Sequence, residues 1–345
     1  MRALYYDGAG GLDWRDDPAP LIIDSADALV RPIAVSTCDL DQAIIRSPKP
    51  IPGSEQPFAL GHEGVGEVIE IGDTVSDVRP GDIVAIPYHI SCGRCDRCMD
   101  QLPLFCRASA ADALAVFGIP LGRDYGGLFS ELVRVPFADY SLVKLPPNVS
   151  PTQAVSVGDN LTDAWRAVVP HLRRRPGADV LILSCGSAGL YAADIARASG
   201  AGVVRYFDRD PTRLELAARL GVETGTLEEF SPTENEYPIT INCGDSRATL
   251  RDAVLATAPG GHCENMAFHF RDVEMPLLAM HLRCIHFRSA LANVRPHMPA
   301  VLELLSSGRI TPELIATEVL PFDTAAEAIP TAGFKPVFVR ETIIA

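Results

Sequence analysis

The stretch that decides the fold reads VLILSCGSAGL and runs from Val180 to Leu190. It begins with four apolar residues typical of a buried strand, continues with small residues, and then takes on a helical pattern. A tight turn of small residues lets the backbone approach a pyrophosphate, and the N-terminus of the following helix favours its negative charge. We therefore predict a strand, a dinucleotide-binding turn and a helix.

The turn matches the pattern G-x-G-x-x-G at every position except the first, where serine replaces glycine. A plain strand–helix turn would contain the same small residues, so the motif alone leaves both interpretations open. The predicted cofactor-binding residues of the turn are Ser184, Gly186, Ser187, Ala188 and Gly189.

A second apolar run, Val203–Phe207, ends at Asp208, about 20 residues beyond the turn. A carboxylate there would accept hydrogen bonds from the adenosine ribose and would repel a 2′-phosphate, which favours NAD(H). Arg205 and Arg209 flank this carboxylate and keep NADP(H) as the less favoured alternative. Asp208 and Arg209 are therefore predicted cofactor contacts, as is Cys243, which ends a later apolar run.

Between residues 152 and 288, apolar runs alternate with helical patterns, which predicts βαβ units and a parallel sheet. Residues 1–151 are instead rich in glycine, proline and short β-like runs, which predicts a β-rich domain with a barrel-like core. The tail regains β texture near 335–340, and we expect residues 289–345 to return to the first domain. The predicted fold class is α/β, with one β-rich and one doubly wound domain.

Composition limits the function. The chain has 345 residues, is 47% hydrophobic and carries a formal net charge of −14. This acidity argues against a nucleic-acid partner, and no apolar run is long enough to span a bilayer. The N-terminus does not read as a signal peptide, so the nine cysteines are expected to be metal ligands or reduced thiols in the cytoplasm.

Four of these cysteines lie in one short lobe. Cys92, Cys95 and Cys98 are spaced by two residues, and Cys106 follows after seven more. Four thiolates at such spacing suit a tetrahedral Zn²⁺ with no open position, which is a structural site. An iron–sulfur cluster, or four unrelated buried cysteines, remain the alternatives.

Separate segments could form a second metal site. Cys38 lies in a Ser-Thr-Cys segment, His62 and Glu63 lie between glycines, and Asp159 follows a Val-Gly pair. Each residue alone has an ordinary structural explanation as a core thiol, a core imidazole or a turn carboxylate. A thiolate, an imidazole and a carboxylate with one open position would together make a catalytic zinc site.

In the order of these motifs the sequence resembles the zinc-dependent medium-chain dehydrogenase/reductase family, the alcohol dehydrogenase-like enzymes. The family has an early cysteine ligand, then Gly-His-Glu, the four-cysteine lobe, a third ligand and the dinucleotide turn. The resemblance covers essentially the whole chain. It implies a GroES-like catalytic domain, a Rossmann domain, two Zn²⁺ ions and NAD.

Residue by residue, the resemblance implies that Cys38, His62 and Asp159 are the catalytic zinc ligands. Glu63 would lie beside the metal as a transient ligand, and Asp41 would orient the imidazole of His62. Lys335 would be the basic partner near that orienting carboxylate. The carboxylate ligand resembles that of polyol and formaldehyde dehydrogenases.

The chain departs from the family pattern at two places. Leu40 stands where a serine or threonine usually relays the substrate proton, and Ala43 stands where some relays have a histidine. Substitutes could be Asp39, Tyr88, His89 or a water chain. Asp163 replaces the usual threonine near the nicotinamide.

The resemblance predicts an oxidoreductase that transfers a hydride between NAD(H) and a small-molecule alcohol/carbonyl pair. The departures leave two alternatives open. One is a reductase of conjugated C=C or iminium groups, and the other is a catalytically inactive nucleotide-binding zinc protein. The expected assembly is a homodimer or homotetramer, without a nucleic-acid or membrane partner.

Overall fold

The computed structural model describes residues 1–46, 54–110, 113–120, 122–232, 236–316 and 318–340. The chain divides into two compact units. The first contains Met1–Thr162, Ala292–Ser307 and the residues from Ala316 onward, and the second contains Asp163–Leu291 and Gly308–Ile315.

The strands, numbered along the chain, are β1 (Arg2–Tyr6), β2 (Leu12–Asp16), β3 (Ala28–Ser36), β4 (Phe58–Ala59), β5 (Glu63–Ile71), β6 (Ile83–Ile86), β7 (Leu114–Val116), β8 (Gly122–Asp124), β9 (Val133–Val135), β10 (Val143–Lys144), β11 (Val180–Leu183), β12 (Val204–Asp208), β13 (Glu223–Thr226), β14 (Tyr237–Asn242), β15 (Thr257–Asn265), β16 (His286–Ser289), β17 (Glu318–Pro321) and β18 (Pro336–Val339). The helices are α1 (Asp39–Arg46), α2 (Asp96–Met99), α3 (Ala138–Ser141), α4 (Pro151–Ala154), α5 (Asn160–Arg174), α6 (Ser187–Ala198), α7 (Pro211–Arg219), α8 (Arg247–Leu255), α9 (Leu277–Leu282), α10 (Met298–Ser306) and α11 (Ala325–Ala328). Single 3-10 turns lie at Pro103–Phe105, Pro312–Leu314 and Phe322–Thr324. None of the helices in these described ranges is long and apolar enough to cross a membrane.

The first unit is built around a mixed sheet in the order β10-β6-β5-β3-β18-β17, with β9 also paired to β3. Strand β3 is buried along nearly its whole length, because its residues pack on both faces of the sheet. Pro32 in β3 cannot donate a ladder hydrogen bond, and the register with β5 shifts immediately after it. The β-rich fold predicted for this part of the chain is confirmed.

The tail joins this sheet. Strand β18 pairs antiparallel with β3, placing Val337 opposite Ser36 and Val339 opposite Ala34. Phe338 lies in the main core of the unit, in ring contact with Phe129 at 5.4 Å between centroids. Strand β18, the last one described, is therefore part of the first unit's sheet and lies beside the end of β3.

The second unit is a parallel six-stranded sheet in the order β13-β12-β11-β14-β15-β16. This is the strand order of a Rossmann fold, and it confirms the predicted doubly wound class. Strand β11 is fully buried, as expected for the apolar run of a central parallel strand. The strand order reverses between β11 and β14, where ligands of such sheets bind beyond the carboxyl ends.

The division into units differs from the boundary placed at residues 151 and 152. The second unit begins at Asp163, inside helix α5, and also takes residues 308–315 from the tail. A continuous helix crosses the division, so the sequence texture changes before the packing does. Thr311 shows why the short tail segment belongs there, since its backbone N–H donates to the Asp194 carboxylate on α6 at 2.6 Å.

Candidate metal centres and dinucleotide site

The cysteine lobe brings its four sulfurs together. The Sγ atoms of Cys92, Cys95, Cys98 and Cys106 all lie within 4.8 Å of one another. The Sγ atom of Cys95 lies 3.6 Å from that of Cys98 and 3.9 Å from that of Cys106. A tetrahedral zinc with Zn–S bonds of about 2.3 Å separates its sulfurs by about 3.8 Å. The donor set therefore fits one zinc ion.

The short distances between the sulfur atoms also favour zinc over an iron–sulfur cluster. In a four-iron cluster each cysteine ligates a different iron, so the thiolates surround the whole cluster and lie farther apart. Four sulfurs within one ion's ligand shell favour zinc. The lobe is held by a two-pronged ion pair in which Arg107 donates to Asp96 at 2.6 and 2.7 Å.

The thiols of the lobe differ in acidity. Although burial opposes it, hydrogen bonds from the backbone of Cys98 and Arg107 lower the pKa of Cys95 to about 6. Its thiolate is therefore present at neutral pH before a metal binds.

The second cluster is formed by Cys38, His62 and Asp159, whose ligand atoms also lie within 4.8 Å of one another. Cys38 follows β3, His62 immediately precedes β5, and Asp159 immediately precedes α5. His62 Nε2 lies 3.4 Å from Asp159 Oδ2. Tetrahedral zinc with Zn–N and Zn–O bonds of about 2.1 Å places such atoms about 3.4 Å apart. The chemistry and spacing of these donors fit a second zinc.

Burial and charge support a cation at this cluster. Burial, and then the Asp41 carboxylate, raise the pKa of Cys38 to about 12. Burial alone would lower the pKa of His62, but Asp41, Cys38 and Asp159 raise it well above its usual value. A cation in place of these protons would let the thiolate and the neutral imidazole form together.

The three candidate ligands are not equally accessible. Cys38 is 5% and His62 2% exposed, whereas the Asp159 side chain is 16% exposed. A small molecule can therefore approach the cluster on its Asp159 side within this unit. This is the arrangement expected of a site with an open coordination position.

Asp41 is buried behind the cluster. Its Oδ2 accepts the backbone N–H of Cys38 at 2.9 Å, which fixes the loop that presents the thiol. Its Oδ1 faces His62 Nδ1 at 3.7 Å, beyond hydrogen-bond distance. Asp41 thus lies where an orienting carboxylate is predicted, with the hydrogen bond to the imidazole unformed.

Glu63 is fully buried and is bound by two other side chains of the first unit. Ser156 Oγ donates to Glu63 Oε2 at 2.9 Å, and Lys335 Nζ pairs with the same oxygen. Lys335 also donates to the Thr37 carbonyl at 3.1 Å. Lys335 is expected as a basic partner near the Asp41 carboxylate, and its charge does lower the pKa of Asp41, although burial has a larger, opposite effect. Its ion pair, however, is with Glu63.

The residues considered for proton relay differ in their surroundings. Leu40 is half-buried and packs against the apolar core, and its backbone N–H donates to Cys38 Sγ at 3.2 Å. Tyr88 donates its hydroxyl to the Ala292 carbonyl at 2.6 Å, and its ring centroid lies 6.5 Å from that of His62. The ring of Tyr88 therefore lies beside the cluster of Cys38, His62 and Asp159. His89 is fully buried behind it, and burial lowers its pKa to about 3.

The dinucleotide turn forms between β11 and α6. Gly186 precedes the first helical residue, Ser187, and no side-chain hydrogen bond caps the helix. A Cβ at Gly189 would lie 2.2 Å from Ser184 Oγ and 3.3 Å from the Tyr206 ring. Glycine is therefore required for close packing of helix and strand, as in dinucleotide-binding turns.

Asp208 ends β12 but is already engaged. It is fully buried, and its two oxygens accept five hydrogen bonds within the protein, from Tyr206, the backbone of Arg209 and Asp210, and twice from Arg213. The Arg209 side chain is paired with Glu228 at 2.9 Å. Arg213, which the sequence pattern did not single out, is therefore the main charge partner of the predicted ribose carboxylate.

Two further predicted residues lie beside named elements: Cys243 directly follows β14, and Asp163 lies in α5. The backbone N–H of Cys243 donates to Leu183 at 2.8 Å, so this buried residue continues β14 beside the turn. Asp163 accepts Arg166 Nε at 2.6 Å, so its charge is paired within α5. The i, i+3 spacing of these two residues was the available sequence signal for that pair.

Comparison with known proteins gives consistent relatives. Residues 24–147 match the family described as the alcohol dehydrogenase GroES-like domain. A Mycobacterium tuberculosis protein named as a probable zinc-binding alcohol dehydrogenase is 30% identical over 338 residues, covering 96% of this chain and 85% of the relative. An uncharacterised zinc-type alcohol dehydrogenase-like protein of Bacillus subtilis is 29% identical and covers 94% of both chains.

A solved structure is similar over its whole length. The alcohol dehydrogenase of Thermus sp. ATN1 superposes with a TM-score of 0.88 at 31% identity, covering 99% of this chain and 100% of that one. Similarity of this extent covers both units.

Proposed function

The chain belongs to the zinc-dependent medium-chain dehydrogenase family, and from that premise we propose that it exchanges a hydride between NAD(H) and an alcohol/carbonyl pair. The observation that carries the proposal is the convergence of Cys38, His62 and Asp159 with one accessible side. As a member of this family the chain is an oxidoreductase enzyme.

We propose Cys38, His62 and Asp159 as the protein ligands of the catalytic zinc, and the four lobe cysteines as the ligands of a structural zinc. When bound, the catalytic zinc polarises the substrate oxygen, and the nicotinamide exchanges a hydride with the adjacent carbon. One thiolate and one carboxylate balance the charge of Zn²⁺, so a substrate oxygen would meet a formally neutral centre.

The chain's own groups arrange this site. Asp41 fixes the Cys38 loop by accepting a hydrogen bond from the Cys38 backbone N–H. The backbone N–H of Leu40 donates a hydrogen bond to the Cys38 sulfur. Lys335 and Ser156 hold Glu63 in an ion-paired, hydrogen-bonded position beside the candidate ligands. These contacts order the Cys38 loop and the Glu63 carboxylate, and such surrounding groups tune a metal site beyond its ligands.

NAD(H) is the proposed dinucleotide, supported by the turn at Gly186 and Gly189 and by the carboxylate of Asp208. That carboxylate would repel a 2′-phosphate, although Arg213 offsets part of its charge. The glycine required at position 189 and the uncapped start of α6 support a pyrophosphate at this turn.

A direct test is deuterium transfer. The zinc-loaded protein is incubated with NAD⁺ and a panel of alcohols deuterated at the carbinol carbon, and the NADH product is analysed by mass spectrometry. With at least one alcohol we expect the NADH to carry one deuterium in place of a hydrogen. Transfer should be lost in Cys38→Ala and retained in Cys263→Ala, which removes a buried thiol from the second unit. Absence of transfer from every alcohol in the panel would contradict the proposal.

Leu40 favours one second candidate, reduction of conjugated C=C or iminium groups. Its side chain neither donates nor accepts a proton at the position where the family relays one, and it packs against the core. Deuterium transfer from labelled NADH to an enal, with no transfer to or from any alcohol, would select this activity over alcohol oxidation.

A further inference from the structure

The second unit has a groove that its dinucleotide turn does not use. It lies beside α5 on strands β15 and β16, has a volume of about 270 Å³, and is called here the arginine–histidine groove. Its basic lining residues are Arg166, His171, Arg174, His262, His286 and Arg288. Strand β14 separates β15 from β11, so the groove is distinct from the turn that follows β11.

Three imidazoles stack along the groove. The ring centroids of His171 and His262 lie 4.4 Å apart, and those of His262 and His286 lie 4.7 Å apart, with interplanar angles of 29° and 17°. His262 and His286 are register partners on β15 and β16, and α5 supplies His171. Burial, followed by the charges of neighbouring histidines and arginines, lowers the pKa of His262 to about 4, as expected in a positive environment.

The floor of the groove is an ordered ion network. Arg166 donates to Asp163 and to Glu264, each at 2.6 Å, and His171 Nε2 lies 2.9 Å from Glu264. Arg166 is 3% and His171 8% exposed. Within the described ranges, one terminal nitrogen of Arg166 and the Nδ1 atom of His171 are buried without a hydrogen-bond partner. Both acids of the network are thus already engaged, while one terminal nitrogen of Arg166 still lacks an acceptor among the described residues.

The rim of the groove carries two further cations. Arg174 and Arg288 form no ion pair with any residue in the part of the chain that the structure describes. Partial burial and the nearby Arg166 charge lower the pKa of Arg288, against the opposing effects of Glu264 and Asp163. In a chain with net charge −14, such a concentration of unbalanced arginines calls for an anionic partner.

A metal is not the matching ligand. Among the described residues, the side chains placed to hold a metal ion are the two clusters described above, and the stacked histidines are not among them. A planar guanidinium group can instead donate two parallel hydrogen bonds to the oxygens of a phosphate or a carboxylate.

We propose that the arginine–histidine groove binds a small phosphorylated or carboxylated compound, with Arg174 and Arg288 as its principal contacts. The volume exceeds that of a single inorganic phosphate, so the compound carries further atoms beside its anionic group. Arg166 and His171, held by Glu264, form the preorganised floor against which the anion is placed. This site goes beyond the proposed hydride transfer and does not depend on it.

The test is a calorimetric titration of the zinc-loaded full chain at low ionic strength, where surface charge is least screened. Inorganic phosphate and succinate are the two probes, and the one that binds identifies the phosphoryl or carboxylate group. The double variant Arg174→Gln/Arg288→Gln is expected to bind that probe roughly tenfold more weakly or not at all. Both arginines are exposed, so the thermal unfolding midpoint should stay unchanged.

Arg219→Gln is the matched control, because it removes an equally exposed arginine of the second unit on α7. Retained binding in this control supports the groove as the site. Absence of binding of either probe to the wild type, or equal weakening in the double variant and the control, would overturn the proposal. The readout needs neither substrate nor NADH, so its failure leaves the proposed function standing.

Discussion

At the scale of single residues, the Lys335–Glu63 ion pair is the most exacting feature of the candidate metal site. Both side chains are fully buried, and Thr37 and Ser156 supply additional hydrogen bonds. Removal of one partner from such a pair leaves an unpaired buried charge, whereas replacement of both is often tolerated.

We therefore predict that Lys335→Met lowers the free energy of unfolding by about 3–5 kcal/mol. The double variant Lys335→Met/Glu63→Gln should recover most of this loss, because no charge is then left unpaired. Denaturant midpoints of the three proteins measure the effect. Equal destabilisation of the single and double variants would show that packing, and not charge, is responsible.

His89 predicts a specific pH dependence. Burial, and then the charge of Arg295, lower its pKa from 6.5 to about 3 in the folded chain. The unfolded chain therefore binds a proton near pH 6.5 that the folded chain refuses, so stability falls as the pH drops below 6.5 and continues to fall towards about 3.

Between pH 8 and pH 5 this residue should cost the wild type about 2 kcal/mol of stability. His89→Leu should lack that part of the loss, while acid release of zinc affects both proteins alike. The measurement is the difference in unfolding free energy between the two proteins at each pH. A difference that does not change with pH would contradict the assignment.

Asp208 sets the expected dinucleotide preference. Asp208→Asn removes the charge that would repel a 2′-phosphate and weakens the hold on Arg213, which is then available to that phosphate. We expect the preference for NADH over NADPH, measured as a ratio of dissociation constants by fluorescence, to fall roughly tenfold. Glu215→Gln, which removes an exposed acid on α7, should leave the ratio unchanged.

At the scale of elements, the contact between β11 and α6 decides the dinucleotide turn. Gly189 allows α6 to approach Ser184, whose Oγ and Cβ atoms would lie 2.2 and 2.6 Å from an added methyl group. Overpacking of this kind costs about 1–3 kcal/mol.

We predict that Gly189→Ala lowers the thermal unfolding midpoint and weakens NADH binding roughly tenfold. Ser184→Gly/Gly189→Ala removes both of the closest atoms and should restore much of each property. If the double variant binds NADH no better than the single one, the contact with Ser184 is not what requires glycine.

The same elements show what sequence periodicity could predict. The run VLIL became β11 at its predicted residues, and the following small residues became the start of α6. These features are local, since an apolar run and a helix start each depend on adjacent residues. The bidentate contact of Arg213 with Asp208 was missed because it depends on how α7 packs against β12.

At the scale of the whole molecule, the contacts that sequence reasoning missed join distant segments. Lys335 meets Glu63 across a separation of 272 residues, and its partner could not be chosen from spacing alone. The stacked histidines come from α5, β15 and β16, and their common face exists only once the parallel sheet has formed. Cys38, His62 and Asp159 were foreseen as a group because the order of motifs resembled a family.

The proposed activity requires two separate zinc sites, and the measurement that tests them most directly is the zinc content per chain. Wild type, Cys38→Ala and the control Cys263→Ala are purified alike and analysed by atomic emission. We predict two zinc ions per chain in the wild type and the control, and one in Cys38→Ala, with the cysteine lobe still filled. One zinc in all three proteins, or two in Cys38→Ala, would contradict a catalytic metal at Cys38, His62 and Asp159.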